Sequence, residues 1–485
     1  MALIPFPSLR RHAPLISPPM LIDSDFTWLD WAWRLPGIFL YVEMHYRWWP
    51  LPSRYFRREP EILADLPHRL EPGQDLPLLL LVKDAHRYPI VLQRVTLMVE
   101  TDEGQMPLDE IAVNEELTEP WWHRVITLER PIPHGNIKLW TTFHYTVKGK
   151  ARTCTTHNLK SLPPRPLTIH LARDPLPGEN VIWGDLHHHT NLTEDMIEFG
   201  APLEATQAAA TALGLGFVCA ADHSYDLDDL PGDWVRSDPD LVKWHSSRAE
   251  IKVLNEHRDR ALVVPSEEVS TRNTLGRTVH TLVLNHPDYL PGSGDGGERL
   301  IRQPSELDIA ELTDQLGPGA LALAAHPFQP VPFLQWAIIG RGVWQDRDTR
   351  QPGITGLQIL NGGLDAGFFQ GLEEWKRLLL AGQRTFIYAG TDAHGDFNLH
   401  RQIKVPFVSL TERPTKVLGS CRTGVLDIEP GDLPGLLAGL KAGRCIITTG
   451  PFLTMTLATP QATARIGETI DGSVVTVSLR MASSA

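Results

Sequence analysis

The sequence predicts an α/β barrel preceded by a small β-sandwich and followed by a short β module. Three observations point there. Apolar residues alternate with a period of two between about residues 75 and 171; strand-like and helix-like runs alternate from 181 to about 449; and the tail returns to a period of two. At about 150 residues per domain, 485 residues make roughly three domains, or one large and two small. The composition changes place their limits at 1–72, 73–174, 179–449 and 450–485.

Residues 1–72 are rich in Trp, Arg and Pro, and the stretch Phe26–Trp49 holds five tryptophans. A strap packed over the next domain, with Pro36 breaking any helix, is the main reading. Peripheral membrane contact through 26–49 is the minor one. In the next region VTLMVE (95–100) alternates, and Ile137, Leu139, Thr141, Phe143, Tyr145 and Val147 share one face. Half-buried strands of this kind in succession make a sandwich. A proline-rich hinge follows, with LPPRP at 162–166 and DPLPG at 174–178 framing the strand LTIHL.

From 181 onward VIWGDL, GFVCAA, ALVVP, VHTLVLN, ALALAA, GLQIL and RTFIYAG read as strands. LEATQAAATALG, LVKWHSSRAEIKVLNEHRD, PSELDIAELTDQLG and FFQGLEEWKRLLLAG read as helices between them. Such alternation argues for one barrel rather than separate modules. In the tail Val475, Val477, Leu479 and Met481 alternate before the chain stops, which implies a very small third domain or one cut short.

Composition narrows the function. Lys+Arg 45 against Asp+Glu 58 leaves a net charge of −13, which disfavours nucleic acid or an anionic membrane as the main partner. A small anionic substrate at a locally positive metal site is not excluded. With 42% hydrophobic and 21% charged residues the chain is ordinary globular material. Four scattered cysteines form no CxxC pair, so a disulfide scaffold, zinc finger or iron–sulfur cluster is disfavoured. The N-terminus has no continuous apolar segment of signal-peptide type, and no uncharged apolar run reaches 18 residues, so a cytoplasmic protein without a spanning helix is expected. Histidine is the odd residue: eleven of the 20 lie between His187 and His400.

Those histidines cluster with carboxylates beside strands. Asp185-Leu186-His187-His188-His189 follows VIW, and residues i and i+2 of a strand share a side, so His187 and His189 can bind one metal while His188 points away. Asp222-His223 follows GFVCAA, Glu267-Glu268 follow ALVVP, His280 opens TLVLN, His326 ends ALALAA, and Asp392 and His394 follow RTFIYAG. Each alone reads as an ordinary histidine or acid. Packing does not demand such groups after almost every strand. Imidazoles mixed with carboxylates and no thiolate suit Zn, Mn or Fe, and candidate ligands in this number exceed the needs of one metal and imply two or three ions.

The motifs DLHHHTNLTED, AADHS, EEVST followed by His280, AAHP and GTDAH resemble, in order, those of the PHP (polymerase and histidinol phosphatase) metallohydrolases. The resemblance covers 181 to about 449 and implies a distorted seven-stranded (β/α) barrel with two or three metals at the strand ends. It implies His187, His189, His223, Glu268, His280, His326, Asp392 and His394 as ligands, with Glu268 bridging. Where the family carries Ser-Asp-Gly, with the Asp on a third metal, this chain has Thr193-Glu194-Asp195. Either Glu194 substitutes with a longer arm, or Asp195 shifts into place. The segment ALKAGRCIITTGPFLTMTL followed by ARIGETI is similar to that after the barrel in the carbaryl hydrolase-like (CehA/McbA) branch.

The expected chemistry is hydrolysis of a small, anionic ester by a metal-activated hydroxide, with Glu268 bridging the cations. Asp392 is the candidate proton carrier, with His188, His286 and His400 as alternatives. Arg401, seven residues beyond His394, is the candidate for holding an anionic substrate. Phosphomonoester or phosphodiester hydrolysis is the first reading, carbamate or carboxylic ester hydrolysis the second, and a non-catalytic metal-binding module the third. Amidohydrolases, which also use HxH on a barrel strand, need a bridging lysine in place of Glu268.

Overall fold

The computed structural model describes residues 59–159, 163–193, 200–231, 233–294, 304–333, 335–336, 340–399, 402–405, 408–411 and 415–483. The segment 26–49 and residues Glu194, Asp195, His400 and Arg401 lie outside the described residues.

Nine strands come first: β1 (Glu61–Asp65), β2 (Arg69–Leu70), β3 (Leu76–Lys83), β4 (Ile90–Thr101), β5 (Gly104–Leu117), β6 (Trp121–Leu128), β7 (Gly135–Val147), β8 (Lys150–Thr155) and β9 (Leu167–Leu171). They form a three-stranded sheet, β1-β3-β6, and a six-stranded one, β2-β9-β7-β4-β5 with β8 beside β7. Strand β7 buries Ile137, Leu139, Thr141, Phe143 and Tyr145 on one face, as period-two alternation requires of a strand with one wet side. Strand β3, LPLLLLVK, is buried on almost every position. It shares an apolar cluster with the helix Leu203–Ala212, so the core runs on from the first sheets into the second half of the chain.

The second half carries β10 (Val181–His189), β11 (Phe217–Ala220), β12 (Asp229–Leu230), β13 (Asp233–Ser237), β14 (Leu262–Arg272), β15 (Thr278–Leu284), β16 (Leu321–Ala325), β17 (Ile354–Asn361), β18 (Phe386–Gly390), β19 (Ala393–His394), β20 (Gln402–Val405), β21 (Val408–Thr411), β22 (Arg422–Leu426) and β23 (Cys445–Thr448). The order β18-β17-β16-β15-β14-β11-β10-β22-β23, with β19 on β10, makes a nearly closed nine-strand β-barrel. Side chains draw its two sides together. The Ala389 N–H donates to Thr423 Oγ1 (2.9 Å), whose hydroxyl donates to the Ala389 carbonyl (2.9 Å). Strands β24 (Phe452–Ala458), β25 (Thr463–Arg465) and β26 (Thr476–Ala482) form a last antiparallel sheet.

This architecture corrects the expected α/β class and seven-stranded (β/α) barrel with its flanking β units. Among the described residues the protein is mostly β, with 42% strand and 17% helix, and its large sheets are mixed. Strand β15 runs antiparallel to both its neighbours, β14 and β16, and β22 runs antiparallel to both β10 and β23. The reasons are local. Strand β14 runs for 11 residues through the expected metal motif, and the loop after it is a tight turn in which Asn273 Oδ1 accepts the N–H groups of Leu275 and Arg277. PSELDIAELTDQLG yields only the six-residue helix Ile309–Asp314, started by an Asp308–Glu311 capping box. Between β16 and β17 the described residues hold the one-turn helix Asp346–Thr349 and isolated helical positions at Phe333 and Gln335–Trp336. Successive apolar runs look alike whether the strands run parallel or antiparallel. No helix among the described residues is long and apolar enough to cross a membrane.

One carboxylate ties the two halves. Asp65, at the end of β1, accepts the N–H of Phe397 on Oδ2 (2.9 Å) and those of Leu399 and Leu66 on Oδ1 (3.0 and 2.9 Å). Burial nevertheless pushes its carboxyl up to about 6. A folded-state value above the ordinary 3.8 favours the folded protein when Asp65 is protonated. That contribution is complete below pH 3.8 and is lost as pH rises through about 6. Relative to Asp65→Asn, which does not titrate, wild-type stability should fall by up to about 3 kcal/mol between pH 4 and pH 7. Chemical denaturation at a series of pH values reads this difference, and parallel profiles for the two proteins would refute the linkage.

Candidate metal centre

Strand ends deliver the polar cluster to one side of the barrel. Strand β10 ends in His187-His188-His189, fully buried, and pairs in parallel with β19, so that His189 lies opposite His394. His223 follows β11 and bridges to Glu268 on β14. His280 lies near the start of the antiparallel β15, opposite Ser270, so a strand beginning here serves the site as well as a strand ending here. His326 and Asp392 follow β16 and β18. Both residues have positive φ, 29° for His326 and 54° for Asp392. Non-glycine residues in that region cost about 1–3 kcal/mol each and persist where the surroundings over-determine them.

Glu268 stands at the centre. Its Oε1 lies 2.7 Å from His280 Nδ1 and 3.0 Å from His326 Nε2. Its Oε2 lies 3.0 Å from His223 Nδ1 and 3.4 Å from Nε2 of both His187 and His189. Asp392 Oδ1 lies 3.6 and 3.3 Å from the same two nitrogens. His394 stacks on His189 with ring centroids 4.2 Å apart and planes within 2°. The described residues therefore bring together all eight of His187, His189, His223, Glu268, His280, His326, Asp392 and His394. Glu194 and Arg401 lie outside the described residues.

Three overlapping groups have mutually close ligand atoms, within 4.8 Å: His189–His223–His394, His187–His189–Glu268–Asp392, and His223–Glu268–His280. His189, His223 and Glu268 each belong to two of them; Glu268 has two oxygens and can serve two ions at once, whereas each histidine offers one nitrogen and its overlap marks closeness only. Two further observations fit cations. The Nε2 atoms of His187 and His189 are 3.0 Å apart, so ring nitrogens converge on one point. Glu268 Oε2, fully buried, accepts no aligned hydrogen bond despite the imidazoles around it. A buried carboxylate oxygen in that state costs free energy unless a cation meets it. The donor set, nitrogen and oxygen without sulfur, suits Zn, Mn or Fe.

Charge distribution follows from this packing. Burial pushes Glu268 up, but His280 and His187 outweigh it and hold the carboxyl well below the usual range. Burial likewise opposes ionisation of Asp392, and Lys416 and His187 overcome it. Burial works against charge on His187, yet Glu268 and Asp392 raise its value. Burial with His394 and His223 nearby drives His189 well down, and burial lowers His326 to about 4. The pocket combines two carboxylates held ionised with two imidazoles, His189 and His326, held toward the neutral form that ligates.

A second layer orients these groups. Gln358 Oε1 lies 3.0 Å from His187 Nδ1, turning the other ring nitrogen toward the cluster. Asp222 accepts the Thr190 N–H, the Thr190 hydroxyl and the Thr193 hydroxyl (2.6, 2.8 and 3.0 Å). Asp185 accepts the N–H groups of His187, Thr391 and Gly419. The two acids written next to the histidine motifs thus hold backbone rather than join the cluster. Gly390 permits a close approach to a ligand: a Cβ there would lie 2.6 Å from His187 Cβ and 2.7 Å from its backbone nitrogen. His188 faces away, stacked on Phe397 at 6.2 Å, and burial lowers it to about 3. His286 accepts the Gly317 N–H instead.

Besides Gln358, sequence reasoning missed two cations and a second amide. Lys416 Nζ donates to Asp392 Oδ2 (2.6 Å), as does Asn361 Nδ2 (3.1 Å). Arg341 NH2 lies 3.1 Å from His280 Nδ1. Asn361 ends the strand GLQILN and was reachable by the strand-end rule; Lys416 and Arg341 come from loops whose sequence carries no such signal.

No protein family model matches the chain, and no curated protein matches it. Among solved structures, Spo0M, a sporulation control protein from Bacillus subtilis, is similar at 14% identity over 23% of this chain and 49% of its own, with a TM-score of 0.14. The chain thus spans about half of that protein's length, and an overlap this slight carries no argument about fold or function.

Two outcomes follow for purified protein stripped with chelator and titrated with Zn2+ or Mn2+. His187→Ala should lose the tightest binding, whereas His188→Phe should bind as wild type; equal loss in both would remove the distinction between the two faces of β10. Gly390→Ala should cost about 1–3 kcal/mol through overpacking against His187 and weaken metal binding with it. An alanine tolerated without change in thermal midpoint contradicts that contact.

Proposed function

We propose that the chain is a metal-dependent hydrolase, acting on phosphomonoesters or phosphodiesters, with two or three divalent ions held by His187, His189, His223, Glu268, His280, His326, Asp392 and His394. The observation that carries the reading is Glu268, whose two oxygens face separate sets of imidazoles, His280 and His326 on one side and His223, His187 and His189 on the other. The ordered motifs resembling those of PHP metallohydrolases support the reaction class, although the sheet is mixed and poor in helix. When bound, divalent ions at these residues supply Lewis acidity that activates a water for attack and polarises the ester oxygen.

The chain's own residues do the rest. Arg341 lines a cavity of ≈ 70 Å³ with His280, His326, Gln329, Gln335 and Trp344. Its planar guanidinium suits two oxygens of a phosphoryl group better than one carbonyl, which favours a phosphoester over a carbamate. Asp392 keeps Oδ1 toward His187 and His189 and gives Oδ2 to Lys416 and Asn361. Held ionised in this way, it serves as a fixed negative charge rather than a proton donor.

The test pairs an aryl phosphodiester with a neutral aryl carbamate, assayed on metal-loaded protein. Phosphodiester turnover should dominate, and His187→Ala should reduce it by more than about 100-fold, beyond the 10–100-fold typical of outer-layer residues. Arg341→Met should raise KM for the phosphodiester more than it lowers kcat. Faster turnover of the carbamate, unaffected by Arg341→Met, would replace the phosphoester reading with the carbamate one. No turnover of either by fully loaded protein would leave a non-catalytic metal-binding module.

A further inference from the structure

A lysine beside a cluster of metal-competent groups is unexpected on charge alone, because its ammonium repels cations that the neighbouring carboxylates attract. Lys416 is nonetheless placed firmly. Its Nζ lies 2.6 Å from Asp392 Oδ2, the oxygen turned away from the histidines, while Oδ1 faces His187 and His189. Both side chains are largely covered, at 17% and 10% exposed, so this is not a solvated surface pair. The flanking backbone is anchored: the Leu418 N–H donates to the Asp396 carbonyl (2.9 Å) and the Gly419 N–H to Asp185 Oδ2 (3.1 Å).

Asn361 completes the grip on Oδ2 and is itself held by Gln358, whose Nε2 donates to Asn361 Oδ1 (3.3 Å) and whose Oε1 meets His187 Nδ1. One hydrogen-bonded chain thus runs from Lys416 through Asp392, Asn361 and Gln358 to His187. Asp392 sits at φ 54°, a conformation that its backbone does not prefer. A carboxylate on such a backbone, free at both oxygens, could turn either oxygen or both toward a cation.

On the reading of the cluster as a metal centre, we propose that Lys416, with Asn361, is a positioning residue that fixes Asp392 as a one-oxygen ligand on the His187–His189 face. Lys416 acts through Asp392, and its contribution to the metal centre is the orientation of that carboxylate.

The experiment is a chelator-competition titration of Zn2+ and Mn2+ on the full chain, with thermal denaturation of the metal-free protein alongside. Lys416→Met should weaken binding by about 10–100-fold, the usual effect of removing a partner of a ligand, in protein whose metal-free thermal denaturation still shows a cooperative fold. Lys416→Arg, which keeps a donor to Oδ2, should recover most of the affinity and guards against a methionine variant that fails to fold. In an Asp392→Asn background, Lys416→Met should add little further loss. Wild-type affinity in Lys416→Met, tighter binding, or an undiminished loss in the Asp392→Asn background would each overturn the positioning role. A wild-type protein that binds neither ion would instead overturn the metal-centre reading itself, so the two failures are distinguishable.

Discussion

The negative charge of Glu268 is what the site is built around. A carboxylate with 1% exposure is expensive to ionise in a protein interior unless positive or hydrogen-bonding groups surround it. Here five imidazoles meet it, two on one oxygen and three on the other, and they come from β10, the loop after β11, β15 and the loop after β16. Glu268 itself lies within β14, between β11 and β15 in the sheet. The barrel must bring these elements within a few ångströms of one carboxylate, and most of the local oddities nearby serve that end.

Those oddities form a coherent set. Asp392 and His326 take left-handed backbone conformations. Gly390 lets β18 come against His187. Asp185 and Asp222, both buried, spend their oxygens on backbone and threonine groups around the histidine motifs. A ligand set accurate to a fraction of an ångström needs such support, because the ligands alone do not determine their own orientation. Lys416 and Arg341 extend the same logic to charge, one cation against Asp392 and one against His280. The first sheets also contribute: Asp65 receives Phe397 and Leu399 only a few residues past His394, so the loop leaving the cluster is fastened to β1.

The residues of the cluster were largely legible in the sequence. Alternation along β10 places His187 and His189 on one side and His188 on the other, and the structure agrees, with His188 against Phe397. The recurrence of His, Asp and Glu beside apolar runs identified the groups around Glu268 because a strand is short, and its ends are marked by the run itself. The same reasoning overstated helix. Ile309–Asp314 is one short helix where a longer one was read, and the turn after β14 leaves no room for a crossover.

What the sequence determined by itself is the local chemistry: which residues can ligate, which side of a strand each occupies, and which segments bury both faces. These depend on side-chain identity and a period of two or 3.6, both readable within a few residues. Only the tertiary structure decided strand direction, the nearly closed barrel, and the arrival of Lys416 and Arg341 from loops at Asp392 and His280. Direction and loop placement depend on contacts between residues far apart in the chain: Lys416 and Asp392 are 24 positions apart, and Arg341 and His280 are 61. No local period records such pairings.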